Sequence, residues 1–373
     1  MIYGRSIWTV LSLLWFAVSP LSALADTAPP AFVRSIKTAD YRSAVTEADG
    51  SALVVTKEGV IRRDAAGGKR YVLRLKGNQR VTHAIDADIF GVVTYADNSP
   101  STLHSYRFDL YDGSGSRKFR LEKPEATEFR ISGDGRWIVG IAGGDGMLEA
   151  RLFLYDNTGK VKATWTVPYL SDLTLPASGD RFFAASRGNL AAYPYSGGDP
   201  HPLGRFEVFT TSSDGKYAAL CGAGSVALYE ANRLAFLVSS DLTQPRAVGL
   251  SDDGAYVAVA AHDRLELRDG TRGELLWTVT SGRPGLKFMS VDLGLAPGLI
   301  LAGLDFDPGP AAEPADRHRS GAVFLLGEGG QLMWREELTY TSWNFHLPAV
   351  RVDLDRRQFE VQLAGEVRQY RLP

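Results

Sequence analysis

The sequence predicts an all-β chain folded as a single β-propeller of four-stranded blades, and three observations carry that expectation. First, a unit of strand, Ser/Asp-Gly turn, strand, strand and Gly turn recurs along the chain. Second, the apolar runs are short, as sheet strands are, and Gly is abundant at 39 residues, supplying the positive φ of tight hairpins. Third, hydrophobic residues make up 45% of 373 residues, enough for a substantial core. One four-stranded sheet cannot bury both of its faces. Stacking such sheets radially buries them, and closing the ring removes the exposed ends of the stack.

The unit is clearest over 246–280. Arg246 to Leu250 form a first strand, Ser251-Asp252-Asp253-Gly254 a turn and Tyr256 to Ala261 a second strand. Arg264 to Arg268 form the third, Asp269-Gly270 and Gly273 the next turn, and Glu274 to Val279 the fourth. Ile131-Ser132-Gly133-Asp134-Gly135 opens another copy, followed by Trp137 to Ile141, Leu152 to Asp156 and Trp165. Ser213-Asp214-Gly215, Ala48-Asp49-Gly50 and the degenerate Ser178-Gly179-Asp180 mark further copies. Phe324-Leu325-Leu326, Gly329-Gly330 and Leu332-Met333-Trp334 belong to a late one.

Units open near Tyr41, Gln79, Ala126, Ser171, Phe209, Arg246, Gly285 and Ala349, which predicts eight blades. The spacing is about 43 residues, a propeller-like period. Seven blades is the alternative, with 171–205 absorbed into its neighbours. The last unit has only three strands, Val350 to Asp353, Phe359 to Leu363 and Val367 to Leu372. Ala31 to Ile36 precedes the first unit and has no blade of its own, so it is expected to supply the missing outer strand and close the ring.

The N-terminus reads as a signal peptide over 1–25, leaving 26–373 as the propeller domain. Arg5 gives a positive start, an apolar stretch runs from Ile7 to Val18, and Ala23-Leu24-Ala25 is a small-x-small cleavage site. An uncleaved anchor is the alternative reading. No second stretch is apolar enough to cross a bilayer, so no stable membrane insertion is expected after cleavage, and the mature chain is placed in the periplasm or outside the cell. Cys221 is the only cysteine, which excludes an internal disulfide and a Cys-based metal cluster. It lies in the apolar run Tyr217 to Cys221 and reads as a small buried hydrophobe.

Gly273-Glu274-Leu275-Leu276-Trp277 resembles the Gly-Lys-x-x-Trp end of a quinoprotein-type repeat. Thr158-Gly159-Lys160 with Trp165, and Gly330-Gln331-Leu332-Met333-Trp334, are similar. The Ser-x-Asp-Gly-x-Tyr pattern is equally similar to WD-repeat relatives. The resemblance implies a propeller whose Trp side chains dock between blades. It also implies relatives of two kinds, quinone-dependent dehydrogenases and non-catalytic assembly scaffolds. The dehydrogenases resemble one another in vicinal cysteines beside the cofactor, which a single Cys cannot supply. No cofactor is therefore expected.

The formal net charge of -2 offers no basic excess for phosphate-backbone binding, so no nucleic acid is expected. Gly-x-Ser-x-Gly, His-Glu-x-x-His and phosphate-loop motifs are absent. Strand order then decides where function sits. Loops joining strands two and three share a rim with the blade-to-blade loops; the other connections, mostly tight Asp-Gly turns, lie on the opposite rim. The long segments Asp97 to His104, Gly143 to Glu149, Asp305 to Ser320 and Thr339 to Leu347 all fall on the first rim. Long loops on a rigid scaffold are its default functional surface.

Two groups of residues are candidates there. Tyr340, Trp343, Phe345 and His346 form an aromatic cluster of the kind that anchors a protein or peptide partner, with seam packing as the alternative. Asp305, Asp307, Asp316 and His318 carry ligands suited to a divalent cation such as calcium, although no dedicated Asp-x-Asp-x-Asp-Gly loop is present and three prolines suggest a stiff, solvated excursion. The expected function is an exported, non-catalytic scaffold that binds a protein or peptide through the long-loop rim. Two readings stand beside it: a periplasmic hydrolase or lyase using channel carboxylates, and a small-molecule or metal sensor.

Overall fold

The computed structural model describes residues 30–37, 41–46, 52–56, 59–64, 68–84, 87–96, 105–143, 148–222, 224–242, 244–261, 264–280, 288–296, 299–306, 319–327, 329–340, 349–353, 357–363 and 366–372. Strand β1 (Ala31–Lys37) comes first. Blade 1 follows as β2 (Tyr41–Thr46), β3 (Ala52–Thr56), β4 (Gly59–Arg63) and β5 (Lys69–Arg74). Blade 2 is β6 (Gln79–His83), β7 (Ile89–Tyr95), β8 (Ser105–Asp112) and β9 (Arg117–Glu122). Blade 3 is β10 (Glu128–Ile131), β11 (Trp137–Ala142), β12 (Glu149–Asp156) and β13 (Val161–Pro168). Blade 4 is β14 (Leu170–Thr174), β15 (Arg181–Ser186), β16 (Asn189–Pro194) and β17 (His201–Arg205). Blade 5 is β18 (Val208–Thr211), β19 (Tyr217–Gly222), β20 (Ser225–Glu230) and β21 (Arg233–Ser239). Blade 6 is β22 (Ala247–Leu250), β23 (Tyr256–Ala260), β24 (Arg264–Asp269) and β25 (Leu275–Thr280). Blade 7 is β26 (Phe288–Ala296), β27 (Leu299–Phe306), β28 (Arg319–Gly327) and β29 (Leu332–Tyr340). Blade 8 begins with β30 (Ala349–Asp353), β31 (Gln358–Leu363) and β32 (Glu366–Arg371).

These strands form eight antiparallel four-stranded sheets. The eighth has the order β1-β32-β31-β30, with Ala31 opposite Arg371 and Ile36 opposite Val367. The first strand of the chain therefore completes the last blade, as its sequence position suggests. The ring closes by main-chain hydrogen bonds between strands from both ends of the chain. The seven-blade alternative is corrected: 170–205 forms the complete sheet β14–β17. Its turn lacks the full Ser-x-Asp-Gly motif, which is why the unit reads as weak.

The first strands of consecutive blades, β18, β22, β26 and β30, touch one another and so lie innermost. The apolar core is divided among the seams between sheets. Phe108 and Phe129 stack at 4.1 Å across blades 2 and 3, and Phe182 and Leu152 meet across blades 3 and 4. Each sheet thus buries both faces, as radial stacking requires. The Trp side chains dock on the following blade. Trp165 packs edge-on to Phe182 and Tyr193 of blade 4, and its Nε1–H donates to Gly198 O at 2.7 Å. Trp334 contacts Phe359 and Tyr370 of blade 8. Trp277 lies against Gly330 of blade 7, where a Cβ would come within 2.8 Å of the indole; that glycine also has φ +77°, so both its size and its backbone require Gly.

The Ser-x-Asp-Gly motif has a repeated internal structure. The Oγ of Ser132, Ser212 and Ser251 donates to the Asp two residues on, at 2.6–2.7 Å. The same Oγ accepts the N–H of Trp137, Tyr217 or Tyr256 at 2.9–3.0 Å. Each turn is closed before any neighbouring blade touches it. The turns then link blade to blade. Gly133 N–H donates to Pro176 O, Ser178 N–H to Ser213 O, and Ser213 N–H to Asp252 Oδ1 at 3.3, 2.8 and 2.7 Å. This rim is committed to structure.

Candidate functional site: the long-loop rim

The opposite rim carries the loops between strands two and three and the blade-to-blade connections. Asp305 lies near the end of β27, its backbone paired with Gly321, and Tyr340 ends β29 opposite Arg319. The two candidate segments of blade 7 therefore leave the sheet at the same rim. Asp307, Asp316, His318, Trp343, Phe345 and His346 lie outside the described residues, as does the 1–25 segment. Among the described residues, no group of three or more His, Cys, Asp or Glu is placed to hold a metal.

The described part of this rim has its own surface group, at blades 3 and 4. A single residue, Tyr169, joins β13 to β14, and it takes a φ of +50°. Arg187 occupies the two-residue turn between β15 and β16, also at φ +50°. Its guanidinium lies 3.7 Å from the centroid of the Tyr169 ring. Two non-glycine residues in the left-handed region are thus brought into one cation–π contact, a contact of about 0.5–1 kcal/mol at an exposed site. Leu148, at the end of the 143–149 insertion, is 70% exposed. Tyr169 N–H donates to Leu148 O at 3.2 Å, so the insertion is tied to the Tyr169–Arg187 pair. An exposed Leu beside a Tyr and an Arg held in place has the composition of an interface anchor.

Sequence reading located the 143–149 insertion but missed Tyr169 and Arg187. Both sit in connections of minimum length, where a search for long loops does not look. The one available signal was Tyr169 itself, an aromatic following Pro168 between two strands.

The described carboxylates of the inner strands β10 and β14 are exposed. Glu128 on β10 is exposed and pairs with Arg130 at 3.0 Å, and Asp172 on β14 is exposed. The two buried carboxylates described, Asp109 and Glu266, lie on third strands of different blades and are both paired with arginine. His83 ends β6 at the tight-turn rim, and burial lowers its pKa from the usual value, which favours the neutral ring.

The Cys221 thiol is buried, and burial first, then the charges of Glu207 and Glu266, push its pKa up to about 12. That is the opposite of an activated nucleophile.

Solved structures share this arrangement. BamB from Moraxella catarrhalis is similar with a TM-score of 0.56 at 15% identity, over 92% of this chain and 100% of that one. The fold is a β-propeller. A eukaryotic initiation factor gives a TM-score of 0.52 at 11% identity, over 84% of this chain and 92% of that one. At such identities the likeness is one of fold, and fold alone assigns no activity. No family model matches the sequence, and no curated protein matches it. Among the described residues, no helix is long and apolar enough to cross a membrane.

Proposed function

We propose that this chain is an exported, non-catalytic propeller that binds a protein or peptide through its long-loop rim, with Leu148, Tyr169 and Arg187 at one anchor point. The observation that carries the reading is the exposed Leu148 beside an aromatic ring already stacked under a guanidinium. A preorganised aromatic loses little freedom on binding, which favours it as an anchor. Asp305, near the end of β27, and Tyr340, which ends β29, leave blade 7 at this same rim. Export rests on the positive start, apolar stretch and small-x-small site of the first 25 residues.

The test uses the full chain carrying a photo-crosslinking side chain at 169 or, on the tight-turn rim, at 216. Adducts to a discrete partner are expected from position 169, lost in Leu148→Asp and scarce from 216. Equal adducts from both rims, or none from 169, would remove the proposal. Cleavage after Ala25 is checked by the N-terminal mass of the exported chain.

A further inference from the structure

The seam between blades 1 and 2 holds a group of charges that the rim proposal does not use. Asp109, at the middle of β8, is 1% exposed. Its Oδ1 is 2.6 Å from Arg120 Nε and its Oδ2 is 2.7 Å from Arg107 Nε. Arg117 Nη1 lies 3.8 Å from Oδ1. Arg120 Nε–H donates to Asp109 Oδ1, whereas Arg107 Nε lies at ion-pair distance from Oδ2 without a hydrogen bond. Arg117 approaches through Nη1 instead, Arg120 Nη1 reaches Glu122 at 3.5 Å, and the three side chains are 26–46% exposed.

Among the described residues, Asp109 and Glu122 are the carboxylates within ion-pair distance of these three arginines. Glu122 is exposed and reaches only Arg120 Nη1, at 3.5 Å. Three positive charges therefore face one buried negative charge, a surplus of two, or of one while Glu122 is engaged. A buried carboxylate thus gathers three partly exposed arginine side chains around it.

We propose that this seam is a binding site for a phosphoryl dianion, held by the Nη groups of Arg107, Arg117 and Arg120, with Asp109 as the group that positions them. Charge selects the ligand class. A phosphate monoester carries about −1.5 to −2 at neutral pH, which matches the surplus of two once it displaces Glu122 from Arg120, whereas a single carboxylate brings half as much. Geometry agrees, because planar guanidinium forks suit tetrahedral phosphate oxygens. Tyr111, on the same face of β8, stacks on Phe90 at 5.3 Å and closes the apolar side of the seam. Burial and the Asp109 charge raise the Tyr111 pKa, so its hydroxyl stays protonated. The phosphoryl group can come from a soluble phosphate or from a lipid headgroup, and the experiment separates the two.

Inorganic phosphate is titrated into the full chain by calorimetry, with acetate as comparison. Saturable heat is expected with phosphate and at least tenfold weaker binding with acetate, a difference of about 1.4 kcal/mol. Arg117→Gln is the informative variant, because Asp109 keeps its two closer partners and the fold is retained. It should weaken phosphate about tenfold and shrink the phosphate-induced rise in Tm. Lys118→Gln, which removes an exposed cation from the same strand, should change affinity by less than about twofold. Sedimentation with phosphatidylcholine vesicles containing phosphatidic acid, reversed by free phosphate, would identify the lipid source; phosphate binding without sedimentation would identify the soluble one. No saturable heat with phosphate, equal binding of acetate, or equal losses in Arg117→Gln and Lys118→Gln would overturn the site.

Discussion

Blades 2 and 6 carry the same local arrangement with opposite outcomes. In β8 the pair Arg107-x-Asp109 precedes the turn residue Asp112; in β24 the pair Arg264-x-Glu266 stands at the same distance before Asp269. Both carboxylates are buried. In blade 6 the next residue on that face is Arg268, whose Nη2 meets Glu266 at 2.8 Å and whose Nη1 donates to Gly273 O at 3.0 Å. Arg264 lies 3.3 Å from Glu266 and also pairs with Asp241. Two cations face two anions, and the Arg268 side chain is 8% exposed. In blade 2 that position is Tyr111, and the additional cations come from the outer strand β9, where water reaches them. A carboxylate answered from its own strand alone makes a closed ion pair; one answered also from the sheet edge leaves an open, positively charged seam.

The largest expected effect tests that closure. Glu266→Gln leaves Arg268 charged and buried without its carboxylate, and should lower unfolding free energy by about 3–5 kcal/mol in a denaturant titration. Asp109→Asn should cost less, about 1–2 kcal/mol, because water solvates the arginines it releases. If Asp109→Asn costs as much as Glu266→Gln, the open seam is closed after all and the contrast fails.

The turn aspartates of the two blades should behave alike and so serve as a control. Hydrogen bonds from the Ser114 hydroxyl to Asp112 and from the Thr271 hydroxyl to Asp269 hold both carboxyls below the usual carboxylate range. A depressed folded-state pKa gives stability that is present above the unfolded value near 4 and lost as pH falls through the folded one. Asp112→Asn and Asp269→Asn should therefore each cost about 1 kcal/mol at pH 7, with the gap to wild type narrowing below about pH 4. A gap that persists undiminished in acid would assign the cost to turn shape. Asp156, whose pKa is lowered to about 2 chiefly by the Thr158 hydroxyl, extends the same window downward.

The smallest effect is a rate. Cys221 is buried and feels the charge of Glu266, and its raised pKa should leave it unreactive to a thiol reagent at pH 8 in the native chain. Modification should follow unfolding in wild type and run faster in Glu266→Gln, through more frequent local opening. Equal rates in both would show that the blade 6 seam is not what shields the thiol.

Much of the fold was legible because its signals are local. Tyr41, Gln79 and Ala349 open β2, β6 and β30 where the repeat places them, and the other blades begin within a few residues of their expected starts. The candidate site was legible only as a rim. Strand order assigns 143–149, 305–320 and 339–347 to one side of the ring, since alternate hairpin connections fall on alternate edges of a sheet. Which residues meet there depends on contacts between blades. Tyr169 and Arg187 come from different connections, and neither carries a local mark of the stacked pair they form.

By itself the sequence determined the strand pattern, the turns and the closure of blade 8 by Ala31–Lys37, because hydrophobic period, Ser-x-Asp-Gly hydrogen bonding and strand count act within a few residues or by simple arithmetic. Only the tertiary structure decided where charge is neutralised and where it is left over. Arg107-x-Asp109 and Arg264-x-Glu266 look equivalent in the chain. Burial of Arg268 beneath a turn carbonyl and exposure of Arg117 and Arg120 on an outer strand make one a closed pair and the other a cationic seam. Ion pairing and solvation depend on what the folded sheets bring together and what they leave facing water.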